Sequence, residues 1–204
     1  MHKTLSAAIF LCLPLQAFSS TLEVSSLGDP VSFTQPFQAQ VTIIERVNGL
    51  IYWAEPKRTD VKSVEAVKKF VSESRTTNYM ASPFVFQLRL AGVSKEDTDG
   101  ADLTKDGFSR QTTKSISEAL EGNSYIATCY GQYTNTIVPY CDLHDANGSS
   151  PVVGLVRAGL LQPDAQMGQP AEAERRALGE ALDAAKSEQI GIWKPFHGMF
   201  RGLQ

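Results

Sequence analysis

Apolar residues of this chain fall into short β-rich runs through the middle and into helical spacing on either side of them. Val41–Ile44 and Leu50–Ala54 flank Asn48-Gly49. That dipeptide favours the positive φ of a tight turn and predicts a β-hairpin. Asp60 stands where a helix N-cap belongs, followed by Val61, Val64, Val67, Lys68 and Val71. The spacing puts one apolar stripe inward and lysines outward. Phe84–Leu90 reads as a buried strand, and Arg110–Leu120 as a short helix with Ile116, Ala119 and Leu120 on one face, stopped by Gly122. Ser124–Tyr130 and Ile137–Asp142 read as paired strands, and Val152–Val156 as a further short strand. A last helix spans Ala171–Gln189, with Ala177, Leu178, Ala181, Leu182 and Ala185 forming a narrow apolar face.

Between these elements lie polar connections. Ser94–Gly107 is an acidic loop, Asp145-Ala146-Asn147-Gly148 a turn, Pro163–Pro170 a loop, and 194–204 a tail. Residues 20–40, polar and carrying Gly28, Pro30 and Pro36, read as a linker or loosely attached arm. Short strands followed by a packing helix suit an α+β domain with helices on one side of a small barrel.

The first 19 residues read as a leader rather than as fold. Lys3 begins it, Leu5–Leu15 is apolar but too short to span a bilayer, and Ala17-Phe18-Ser19 has the small residues of a signal-peptidase site. A retained N-terminal anchor is the other reading. With cleavage the mature chain starts near Ser20, is exported to the periplasm or beyond, and carries no transmembrane segment. The chain has 204 residues and a formal charge of −3, which loss of Lys3 deepens by one. An acidic balance gives no sign of the basic face expected of a protein that tracks nucleic-acid backbone.

Cys12 leaves with the leader, so Cys129 and Cys141 remain. An even count in an exported chain argues for one disulfide, and the midpoint between them falls in the polar run Gly131–Thr136. Two strands folded about that run set the cysteines opposite each other. Two free buried thiols are the alternative.

Three segments carry a family likeness. Leu88-Arg89-Leu90-Ala91-Gly92-Val93, Leu155-Val156-Arg157-Ala158-Gly159-Leu160 and the closing Ala184–Trp193 together resemble the staphylococcal-nuclease-like (SNase-like, or thermonuclease) domain. The resemblance covers 41–193. It implies a five-stranded OB-type β-barrel with about three packed helices, and 55–83 then becomes an insertion with an extra helix.

The same resemblance implies a degenerate active site. In active members a carboxylate in the first hairpin binds calcium; here Leu50 stands there, and leucine offers a hard cation nothing. The second metal carboxylate is replaced by Ser94. Asp97 takes the position of the general base and Arg89 that of one phosphate-binding arginine, so these two are the catalytic residues if the domain is active. The second phosphate arginine is replaced by Asn135, which has no cationic fork. Each lost electrostatic group costs ~10²–10³ in rate. Arg89 has a second reading, as a structural strand arginine paired with the acidic loop.

Three functions compete. The first is an exported, inactive pseudo-nuclease that binds a protein partner, needing no cofactor and no metal. The second is a calcium-dependent phosphodiesterase on DNA or RNA, its cation site rebuilt from Glu96, Asp97, Asp99, Asp102 and Asp106. The third is a non-cleaving binder of single-stranded nucleic acid, using Tyr125, Tyr130, Tyr133 and Tyr140 for stacking. Tyrosines in strands are also ordinary sheet formers.

Overall fold

A computed structural model describes residues 29–73, 85–94, 103–134 and 138–194, with the backbone alone for 30, 48, 73 and 103–111. Residues 1–28, 74–84, 95–102, 135–137 and 195–204, among them the expected leader, most of the acidic loop and Asn135, lie outside the described residues.

Strand β1 runs over Pro30–Asn48 and turns at Gly49 into β2, Ile51–Pro56. Gly49 has φ +47°, as the Asn-Gly turn requires. Helix α1 follows at Val61–Glu73, then β3 at Phe86–Leu90, a short β4 at Val93–Ser94 and α2 at Leu103–Leu120. Strands β5 (Ser124–Tyr133) and β6 (Pro139–His144) lead to α3 at Pro151–Arg157, a short β7 at Gln162–Pro163, and α4 at Glu172–Ser187. A 3₁₀ turn, Gly191–Trp193, closes the described chain.

Five strands pair in the order β1-β2-β3-β6-β5, and β1 also pairs with β5, which closes the barrel. The β3–β6 pairing is parallel and the rest are antiparallel. Closure depends on β1 serving two neighbours. Its first part pairs with β5 and its second with β2, and register shifts at 32–37, 43–45 and 46–48 bend it between them. Residues 30–40 are therefore not an arm, as the sequence suggests, but the first half of the longest strand. Pro30 is the first residue of β1, opposite Tyr133, and Pro36 lies in the irregular stretch between Ser32 and Phe37, both places where a strand tolerates a missing N–H.

Alternation along β5 sends Tyr125, Ala127, Cys129, Gly131 and Tyr133 inward. Tyr125, Ala127 and Cys129 meet Val41, Ile43, Tyr52, Leu88, Leu90 and Leu143 in one apolar core, which α2, α3 and α4 cover with Ile116, Leu120, Val156 and Leu178, while Tyr133 packs with Ala91 and Tyr140 in a second cluster. Among the described residues the class is mixed α+β, with a five-stranded sheet, the small β4–β7 sheet and four α-helices. Among the described residues no helix is long and apolar enough to cross a membrane.

Asp60 does cap α1. Its Oδ1 accepts from the Lys62 N–H at 3.2 Å, and its Oδ2 accepts from the Ser63 hydroxyl at 2.6 Å. The inward stripe is rotated from the expected one, however. Ser63, Val67 and Phe70 are buried, and Val61 is 64% exposed. The reason is long-range: Phe33 and Phe37 of β1 meet Phe70 at ring separations of 5.7 and 5.1 Å. A second correction concerns Val152–Val156, which is helix α3 and not a strand. Ser150 accepts from the Val153 N–H and Pro151 opens the first turn, a helix start that outweighs the β-branched run. Helix α2 is also longer than expected, beginning at Leu103.

Cys129 and Cys141 are directly opposed across β5 and β6 and form a disulfide, with Cα atoms 4.0 Å apart. The bridge closes a loop of sequence separation 12. Reducing it under native conditions, or replacing both cysteines by alanine, is expected to lower stability by about 2–3 kcal/mol, read from urea denaturation with and without reductant. An unchanged midpoint would show that the β5–β6 pairing alone constrains the unfolded chain.

Candidate functional site

Each residue to which the SNase-like resemblance assigns an active-site position can be located or set aside. Leu50 is 4% exposed and belongs to the barrel core. Its carbonyl accepts from the Leu90 N–H at 3.2 Å, joining the first turn to β3. Ser94 ends the short β4 and pairs with Gln162 of β7. Asp97, Glu96, Asp99, Asp102 and Asn135 fall outside the described residues, and the side chain of Asp106 is not described. The proposed pairing of Arg89 with the acidic loop falls outside them for the same reason.

Arg89 lies on β3 between Ile51 of β2 and Tyr140 of β6. It is 5% exposed. Nη1 donates to the carbonyls of Leu90 at 2.8 Å and Met167 at 3.2 Å, and Nη2 donates to that of Val93 at 3.2 Å. The guanidinium carbon stands 5.9 Å from the centre of the Tyr133 ring. Burial pulls the Arg89 pKa down, and Tyr133 and Asp164 oppose that shift. The fork thus stitches the end of β3 to β4 and to the loop 164–170. The same loop is held by Gly92, whose N–H donates to the Met167 carbonyl at 3.0 Å and whose carbonyl accepts from the Asp164 N–H at 2.8 Å. Gly92 has φ +65°, and a Cβ there would lie 2.6 Å from a ring carbon of Pro170.

The tyrosines singled out for stacking lie mostly inside. Tyr125, Tyr133 and Tyr140 are buried, the last two in edge contact at 5.9 Å, and Tyr130 is half-buried against them. His144 and Asp145 do not converge on a cation. His144 faces Glu174, and the Asp145 carboxylate accepts from the Asn147 and Ser149 N–H groups within its own turn. Among the described residues, no three His, Cys, Asp or Glu side chains are arranged to hold a metal.

One polar cluster is absent from the sequence reading. Asp142 of β6 is 2% exposed and Glu174 of α4 is 7% exposed. The Asp142 Oδ2 accepts from the Ala171 N–H at 3.4 Å. One Glu174 oxygen accepts from the Ser150 hydroxyl at 2.5 Å, and the other lies 3.3 Å from His144 Nε2. Burial, then repulsion from Glu174, pushes the Asp142 carboxyl up to about 6, against hydrogen bonds from Tyr130 and Ala171. Tyr130 occupies the β5 bulge between Cys129 and Gly131, and burial beside Asp142 raises its hydroxyl as well. The available signal was an aspartate inside the apolar run 137–143. A surface cleft of about 310 Å³ borders the cluster, lined by Asn123, Ser124, Tyr125, Asp145 and Ser149–Pro151.

No family model and no curated protein matches the chain. Solved structures do, in 263 chains, so the fold is widely shared and by itself selects no function. One of them is the extended Tudor domain of Tudor-SN (p100) from Drosophila melanogaster. It superposes with a TM-score of 0.53 at 13% identity, covering 78% of this chain and all of that one. The barrel with its packed helices is therefore an SNase-like OB fold, and the likeness stops at the fold.

Proposed function

We propose that this chain is an exported SNase-like domain that does not cleave nucleic acid and acts as a binding module. Its partner is a protein met in the periplasm or outside the cell. The observation that carries the reading is the state of Arg89. It matches a phosphate-binding position, yet its guanidinium is buried and donates to three backbone carbonyls. To grip a phosphate it would have to abandon these buried hydrogen bonds, although the Met167 carbonyl would keep the Gly92 N–H. Leu50 supports the same reading, since it fills the core at the position of a metal carboxylate. The net charge of −3 favours a protein partner over a polyanion.

The test is a cleavage assay on the mature chain with single-stranded DNA, with and without millimolar calcium. The expected result is no cleavage above background and no calcium effect on melting temperature. Calcium-dependent cleavage would overturn the reading and turn attention to Asp97 and the acidic loop. Salt-sensitive capture of the DNA without cleavage would favour the nucleic-acid binder instead.

A further inference from the structure

We propose that Asp142, Glu174, His144, Tyr130 and Ser150 form an acid-tightened latch that holds the first turn of α4, and the α3 cap beside it, on the barrel. The inference goes beyond the proposed function and does not depend on it.

The geometry converges from four elements. Helix α4 supplies Glu174, and the Ala171 N–H comes from just before its first turn. Ser150, the N-cap of α3, donates to Glu174, so one carboxylate secures both helices. Strand β6 supplies Asp142 and His144, and β5 supplies Tyr130 at its bulge. The ionisable groups facing Asp142 are Glu174, Tyr130 and His144. With Asp142 and Glu174 both ionised, two carboxylates that are nearly inaccessible to water repel each other. One proton on Asp142 removes that repulsion and the cost of burying its charge. His144, whose side chain is 31% exposed, lies 3.3 Å from the Glu174 carboxylate and pulls the Asp142 carboxyl down, against burial and Glu174.

The sign follows from linkage. A carboxyl raised from 3.8 to about 6 on folding contributes stability that is complete below its unfolded value and is lost as pH rises through the folded one. A shift of two units corresponds to about a hundredfold in the folding equilibrium.

The experiment compares the full chain with Asp142→Asn between pH 4 and 8. Asparagine keeps the acceptor for the Ala171 N–H and carries no charge. Asp142→Asn should melt with wild type near pH 4 and above it at pH 7.5, by about 5 °C, with the gap opening between about pH 4 and 6 and levelling off above. In wild type, exchange of the Ala171 and Arg175 amides, corrected for intrinsic rates, should be slower at pH 5 than at pH 7.5. A constant gap between Asp142→Asn and wild type overturns the latch. If that variant does not fold, amide exchange at 171–175 that is independent of pH overturns it equally.

Discussion

Arg89→Ala is expected to cost about 3–5 kcal/mol of stability, from buried carbonyls that lose a donor and from the lost packing of the stem. The argument rests on what the substitution leaves behind. The Leu90, Val93 and Met167 carbonyls converge on one guanidinium. Alanine supplies no donor; the Met167 carbonyl keeps the Gly92 N–H, and each buried acceptor left unsatisfied costs about 1–3 kcal/mol unless water reaches it. The aliphatic stem also leaves a cavity between β2, β3 and β6. Arg89→Lys keeps a charge and one donor centre but no planar fork, so it should fall between alanine and wild type. Urea denaturation of the three proteins decides the matter. An Arg89→Ala midpoint equal to that of wild type would mean that the guanidinium does not secure the loop 164–170. The residue would then regain its standing as a phosphate contact.

Gly191→Ala should be nearly as damaging, about 3 kcal/mol or more, because strain and collision act together. Gly159, after α3, and Gly191, opening the closing 3₁₀ turn, lie backbone to backbone with φ +64° and +60°. A Cβ on Gly191 would fall 2.2 Å from the Gly159 carbonyl oxygen, and one on Gly159 would fall 2.3 Å from that of Ile190. The approach lets the Ile192 N–H donate to the Gly159 carbonyl at 3.0 Å, which fixes the end of α4 to the end of α3. Arg157 and Glu188 pair across the same junction at 2.5 Å. Gly148 provides the control. Its φ is +79°, and a Cβ there meets nothing within 4 Å. Gly148→Ala should therefore cost only the left-handed penalty, about 1–2 kcal/mol. Equal losses at 148 and 191 would show that conformation alone matters and that the close approach adds nothing.

This junction explains why two of the family-like segments were visible in the sequence. Val156-Arg157-Ala158-Gly159-Leu160 and Gly191-Ile192-Trp193 are the two sides of one backbone contact. Only glycine fits either side, so the constraint is written in residue identity. The Asn48-Gly49 hairpin, the Asp60 cap, the inward face of α4 and the Cys129–Cys141 bridge were legible for a similar reason. Each rests on a local rule of turn, cap, period or spacing.

Other features needed the fold. Residues 30–40 carry prolines and many polar side chains, and they become strand because β5 pairs with them. Val152–Val156 looks β-forming by composition, and α3 exists because its apolar residues pack under α4 behind a Ser150-Pro151 start. Arg89 could be recognised in the sequence, but the target of its fork could not, since Met167 lies 78 residues away along the chain. Asp142 and Glu174 are likewise separated in sequence and meet only because β6 and α4 converge. Elements whose cause lies within a few neighbouring residues were thus determined by the sequence alone. Where a buried charge points was decided by the tertiary structure, because its partners are whatever the packed elements bring within hydrogen-bond reach.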